Sequence, residues 1–214
     1  MDETAVAVRA VRDAGADTVT VAFESPDGFA AEPGQFVQVS GEDEGRFYTL
    51  SSPDVEETFE ITVEVDPEGT LGPWLASREP GDEVVVSGPF GDDYYEGEDS
   101  VVVLAGGPGV GPAVAVAERA RDRGHDVTLV YEDDAFAHED RLDALADGGA
   151  EVVLLDEAEP DRETALVDAI AGNADRATSG GAYVYGFKEF CRTAREALAD
   201  AGVDDDAVHV ESFG

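Results

Sequence analysis

Gly106-Gly107-Pro108-Gly109-Val110-Gly111-Pro112 follows directly on the apolar run Val101-Val102-Val103-Leu104, and this junction sets the architecture of the second half of the chain. An unbroken Val/Leu run suits a strand buried on both faces, as in a parallel sheet. Pro112 near a first turn and Gly124 just past an end mark a helix over 112–123. Glycines between strand and helix let a backbone approach a pyrophosphate closely, and free N–H groups at a helix start favour an anion. A plain tight turn would use glycine too. The strand, loop and helix context is what points to dinucleotide binding.

Downstream the same grammar repeats. Strands are expected over 127–131, 152–155 and 183–185, helices over 139–146, 162–171 and 188–201, and a final strand over 207–210. Alternating strands and helices imply a Rossmann-like parallel α/β domain covered on both faces. Upstream the pattern differs. Val6, Val8 and Val11, then Val19, Val21 and Phe23, then Phe59, Ile61, Val63 and Val65 alternate with a period near two between turn clusters such as Ser25-Pro26-Asp27-Gly28. Only 71–77 reads as a short helix, with Trp74 packing it against the strands. Short strands with Gly and Pro turns predict an antiparallel β-barrel or sandwich over residues 1–98, ahead of an α/β domain over 99–214.

Composition narrows the partners. The 214 residues carry 50 Asp and Glu against 13 Lys and Arg, a formal charge of -37, and Lys188 is the single lysine. Ten Phe, six Tyr and the Val runs exclude a disordered acidic tail. Such a surface opposes binding to nucleic acid or an anionic membrane. It suits very concentrated salt, where a Debye length of about 3 Å screens self-repulsion, and so a halophile's cytoplasm. Cys191 stands alone in the sequence, which excludes an internal disulfide and a cysteine-held metal or iron–sulfur site. Met1-Asp2-Glu3 lacks the start of a signal peptide. The three histidines, His125, His138 and His209, have no ligand spacing, and no metal is expected.

The first half contains Arg46-Phe47-Tyr48-Thr49-Leu50-Ser51-Ser52-Pro53. Arginine suits phosphate, an aromatic ring suits a planar cofactor, and hydroxyls suit ring heteroatoms. An ordinary surface arginine on a strand is the plain alternative. Taken with the glycine-rich loop, the chain resembles the ferredoxin reductase-like FAD and NAD(P) oxidoreductases. Their flavin signature, Arg-x-Tyr-Ser/Thr, is met by Arg46, Tyr48 and Thr49. Their nicotinamide signature, Gly-Gly-x-Gly-x-x-Pro, is met by Gly106, Gly107, Gly109 and Pro112. Gly81-Asp82, Gly88-Pro89-Phe90-Gly91 and the terminal Glu211-Ser212-Phe213 resemble further family segments in the same order.

The resemblance implies a Greek-key flavin barrel followed by a nucleotide domain, with hydride passing between NAD(P)H and FAD and electrons going to a separate acceptor such as ferredoxin. It gives Arg46 the flavin pyrophosphate, packs Tyr48 on the flavin and sets Thr49 near the reactive nitrogen. Phe47, Leu50 and Ser51 complete that segment, with Leu50 and Ser51 offering backbone groups. It places Gly69, Leu71 and Gly72 at a second phosphate contact, although the chain has Gly72 where the family has Ser or Thr. Gly106, Gly107, Gly109, Val110, Pro112 and Gly186 would hold the nicotinamide nucleotide, with Phe213 shielding the flavin or docking the tail. Thr49, Tyr185 and Glu211 would stand at the reacting centre. Tyr185-Gly186-Phe187 replaces the family's Cys-Gly-Pro with two bulky rings, so a flavin-binding electron-transfer or regulatory subunit with obstructed nicotinamide access is the alternative. Tyr131-Glu132-Asp133-Asp134 has acids where NADP-preferring relatives carry bases, which favours NADH. Plain surface acids would look the same.

Overall fold

The computed structural model describes residues 2–41 and 44–213. Six antiparallel strands come first: β1 (Thr4–Gly15), β2 (Thr18–Glu24), β3 (Phe36–Ser40), β4 (Gly45–Thr49), β5 (Thr58–Glu64) and β6 (Glu83–Phe90), in the spatial order β4-β3-β6-β1-β2-β5. The two edges meet just past β4, where Leu50 bridges Ile61 and the Ser51 N–H donates to the Glu60 carbonyl at 2.8 Å. That contact closes the sheet into a barrel and removes its free edges. Alternate residues Val6, Val8, Val21, Phe23, Val37, Val39, Phe59, Ile61, Val63, Val84 and Val86 fill the interior. Val11 falls outside this alternation because a register shift between Val8 and Ala10 turns the strand. The short helix α1 (Leu71–Ala76) buries Leu71 and Leu75 in the barrel core, with Trp74 packed beside them as expected.

The chain leaves the barrel sheet at Phe90 and enters a second sheet at Ser100. Between them Tyr95 is fully buried in the core of the second unit. Five parallel strands follow the order β11-β10-β7-β8-β9: β7 (Ser100–Gly106), β8 (Asp126–Asp133), β9 (Glu151–Asp156), β10 (Gly181–Phe187) and β11 (Val208–Phe213). Helices α2 (Val110–Asp122) and α3 (Glu139–Asp147) cover one face over Val101, Val103, Leu129 and Tyr131. Helices α4 (Arg162–Gly172) and α6 (Lys188–Asp200) cover the other, over Val102, Leu104, Val130 and Val184, where Cys191 is buried.

Three boundaries differ from the sequence reading. Helix α2 begins at Val110, two residues before the expected start, because a 3-10 turn over Gly107–Gly109 delivers the chain already wound. An additional short helix α5 (Ala174–Ser179) packs Ala177 against the sheet; its mostly polar sequence gives no apolar period. The last strand runs to Phe213 because Glu211, Ser212 and Phe213 pair in parallel register with Tyr185, Gly186 and Phe187. Among the described residues no helix is long and apolar enough to cross a membrane.

Candidate functional site

The first strand of the parallel sheet, β7, has β8 on one side and β10 on the other, so the strand order reverses beside it. Ligands in open α/β sheets bind at the carboxyl ends of strands at such a reversal. A cavity of about 920 Å³ opens there, bordered by Gly106, Gly107, Pro108 and Val110 of the glycine-rich loop. The glycines are fixed by crowding as well as by any ligand. A Cβ on Gly106 would meet the Phe190 ring at 2.5 Å, and Gly107 has φ of +55°. A Cβ on Gly109 would fall inside the Tyr185 carbonyl. Pro112 and Val110 are buried beneath the loop.

The cavity wall is acidic. Asp17 and Glu64 come from the barrel, Glu132, Asp133 and Asp134 from the end of β8, and Glu157, Glu163 and Glu189 from later segments, against Arg162 and Arg192. Burial raises the Glu132 carboxyl above its ordinary range, partly offset by Arg162. The sequence reading missed Arg162 as a cavity residue. Only the expected helix start at 162 marked it, and a helix start does not show which cavity it faces.

Around the barrel motif, Arg46 and Tyr48 share one face of β4, while Phe47 projects from the other, 61% exposed, in edge contact with Phe36 and Phe90. Tyr48 packs half-buried at the barrel core, and burial raises its hydroxyl pKa. The residues fit an anion on an observation within the molecule. The Glu44 carboxylate accepts from the Leu71 N–H at 3.0 Å and lies 3.5 Å from the Arg46 guanidinium. A carboxylate thus stands where those two donors could receive a phosphate oxygen. Gly69 sits at a turn, its N–H bonded to the Asp66 carbonyl, and Gly72 lies close against the end of β5, where a Cβ would be 3.3 Å from the Glu64 carbonyl.

Leu50 and Ser51 follow directly after β4. Their N–H groups donate to the Gln35 and Glu60 carbonyls inside the barrel, and the Ser51 carbonyl accepts from Arg141 at 2.8 Å. Both backbone N–H groups of this pair are thus engaged within the barrel. The Ser51 hydroxyl is buried and has no partner, which leaves one polar group of this segment available.

Several cross-links join the two units, among them ion pairs from Arg119 and Arg123 to Glu32. Thr49 donates from Oγ1 to Glu211 Oε1 at 2.8 Å. Arg141 spans Glu118 and the Ser51 carbonyl. The buried His138 ring shares a 3.0 Å hydrogen bond with the Thr62 hydroxyl through Nε2, and the His138 backbone N–H donates to the Ala14 carbonyl at 2.7 Å. Burial, with Arg141 nearby, lowers the His138 pKa to about 4, so the latch is neutral at ordinary pH. Gly111 completes the junction: a Cβ there would stand 2.6 Å from Thr62 and 3.4 Å from Ser51. Flavin motif and nucleotide loop therefore touch.

Glu211 is the perturbed acid of this junction. Burial raises its pKa to about 7, against the lowering bond from Thr49, with Asp93 raising it further. The folded chain holds this proton more tightly than the unfolded chain does. Glu211 consequently adds nothing to stability below about pH 4.5, and its cost grows between about pH 4.5 and 7 and is complete above that window. Glu211→Gln is expected to gain stability over the parent at pH 8 but not at pH 4. Thermal melts of both proteins across pH 4–8 that run parallel would contradict this.

Tyr185 does not reach the cavity. Its ring is packed in the sheet core, and its hydroxyl is buried without a partner. Burial, then Glu211 and other nearby acids, push its pKa well above the ordinary value. Of the two rings expected to crowd the nicotinamide, Phe187 alone borders the cavity, with Gly186 just before it at the end of β10. Phe213 packs half-buried against the same core as Tyr185.

Residues 6–95 match the family described as oxidoreductase FAD-binding domain. The chain is 38% identical over 124 residues to a probable dihydroorotate dehydrogenase B (NAD(+)) electron transfer subunit of Methanopyrus kandleri, covering 54% of this chain and 45% of that protein. It is 31% identical over 151 residues to the toluate 1,2-dioxygenase electron transfer component of Pseudomonas putida, covering 65% and 45%. The chain thus spans about half the length of these curated relatives. The crystal structure of the Amycolatopsis cytochrome P450 reductase GcoB superposes with a TM-score of 0.81 at 24% identity, over 99% of this chain and 70% of that one, a likeness of fold. The barrel thus matches an oxidoreductase FAD-binding domain, and the chain, with a parallel α/β unit after that barrel, is similar to electron transfer components and reductases.

Proposed function

We propose that the chain carries electrons from a reduced nicotinamide nucleotide, with NADH preferred, through FAD to a separate acceptor protein such as a ferredoxin. Residues 1–98 serve as the flavin domain and 99–214 as the nucleotide domain. The observation that carries this reading is the contact between them: Ser51 of the flavin motif lies against Gly111 of the nucleotide loop, and Thr49 bonds to Glu211 at the end of the parallel sheet. When bound, FAD supplies the chemistry, accepting a hydride and releasing electrons to the acceptor.

The chain's own residues position and shield. Arg46 offers its guanidinium to the pyrophosphate and Tyr48 its ring to the flavin. Thr49 and Glu211 hold a proton where the two units meet, at a carboxyl poised near pH 7. Gly106 and Gly107 border the cavity and admit the nucleotide, Gly109 lets the loop close on β10, and Phe213 covers the sheet core beside the junction. Eight carboxylates against two guanidiniums on the cavity wall repel a 2′-phosphate more than a ribose hydroxyl. Reduction of the FAD-loaded chain should therefore be faster with NADH than with NADPH at equal concentration. Faster reduction by NADPH would overturn the coenzyme reading.

The excess of acid and the single lysine support work in concentrated salt, in the cytoplasm of a halophile. An acidic acceptor in the same compartment would meet this chain only with its charge screened.

A further inference from the structure

Phe187 is the last residue of β10 and borders the cavity with its side chain 52% exposed. Its ring lies over the glycine loop. Cε2 and Cδ2 stand 3.6 and 3.8 Å from the point where Gly107 would carry a Cβ, which is van der Waals contact with the open side of that glycine. The matching side of Gly106 is taken by the Phe190 ring. Two rings therefore cover two consecutive glycines.

The two rings differ in freedom. Phe190 is half-buried, packed at the second core of the parallel sheet. Phe187 leaves half its surface in water at the mouth of an acid-lined cavity, and its backbone, at φ -72° and ψ 159°, is unstrained and extended. A side chain on such backbone can change rotamer without moving the chain. A glycine at this turn serves a dinucleotide by letting the phosphates come close to the main chain. A ring resting on Gly107 occupies that approach.

We propose that Phe187 is a gate. With its ring on Gly107 it closes the loop to phosphate, and a nicotinamide nucleotide binds only when the ring swings off. The closed position makes Phe187 a determinant of nucleotide affinity, since binding to a fraction of the molecules weakens the apparent affinity by that fraction. The inference rests on the cavity being the nucleotide site. It accounts for how a bulky residue can stand where the related pattern has proline without obliterating the site.

The test uses the FAD-loaded chain and two probes, NADH under anaerobic conditions and ADP-ribose, with affinity read by titration. Phe187→Ala should tighten both about five- to tenfold, leave FAD affinity unchanged, and leave the melting temperature nearly unchanged because the side chain is half exposed. Phe187→Trp, with a larger ring over Gly107, should bind both probes no more tightly than the parent. Unchanged affinity in Phe187→Ala would overturn the gate while leaving the nucleotide site standing. Weaker affinity would overturn it too, making the ring a stacking surface for the ligand. Failure of both probes to bind parent and variant alike would remove the nucleotide reading and the gate together.

Discussion

Replacing Arg46 with alanine is expected to weaken FAD binding about 30- to 100-fold, the equivalent of about 2–3 kcal/mol for a charge-assisted contact to phosphate. Scarcity makes this arginine decisive. Thirteen bases serve 214 residues, and Arg46 is the one within a flavin motif. Among the described residues the Glu44 carboxylate lies 3.5 Å from it and also accepts from the Leu71 N–H. In the variant that carboxylate keeps its place at the Leu71 N–H without its counter-charge, so an incoming phosphate loses an attraction and meets an unbalanced repulsion. Arg162→Ala supplies the comparison, because Arg162 lines the cavity beside the glycine-rich loop, which Arg46 does not border. Flavin affinity measured by fluorescence quenching should fall in the first variant and hold in the second. Equal affinities would remove Arg46 from the site.

The second large effect is on folding. Gly109→Ala would place a methyl group inside the Tyr185 carbonyl, a contact between two main chains that no rotamer can relieve. The cost should be about 2–4 kcal/mol, as for severe overpacking, and the melting temperature should fall by about 10 °C. Gly172→Ala is the control, since no atom lies within 4 Å of a Cβ there. It should be neutral or slightly stabilising through the unfolded chain. A Gly109→Ala protein that melts with the parent would show that the loop is less tightly apposed to β10 than the structure has it.

Much of the architecture was legible because it rests on periodicity. Alternating valines marked the barrel strands, and the apolar run before Gly106 marked the first parallel strand. What escaped was set by partners distant in sequence. The β1 register shift that displaces Val11 depends on its pairing with β2, and the Leu50–Ile61 bridge, beside which the Ser51 N–H bonds to the Glu60 carbonyl, exists only once the barrel closes. Within the candidate site, Thr49 and Glu211, singled out in segments far apart in the chain, meet in a 2.8 Å hydrogen bond. The motifs could not say which way a ring turns. Tyr185 and Phe187 are two residues apart on a strand, yet one is packed in the core and the other borders the cavity. Arg141 and His138, which tie the units together, carry no local pattern, since their partners Ser51 and Thr62 lie far away in the chain.

The most direct measurement is an anaerobic titration of the FAD-loaded chain with NADH in concentrated salt, followed by flavin absorbance. The oxidised flavin should bleach with about one NADH per FAD, since the nucleotide carries two electrons and the flavin accepts two. A chain that takes up FAD but keeps its oxidised spectrum through excess NADH would contradict it.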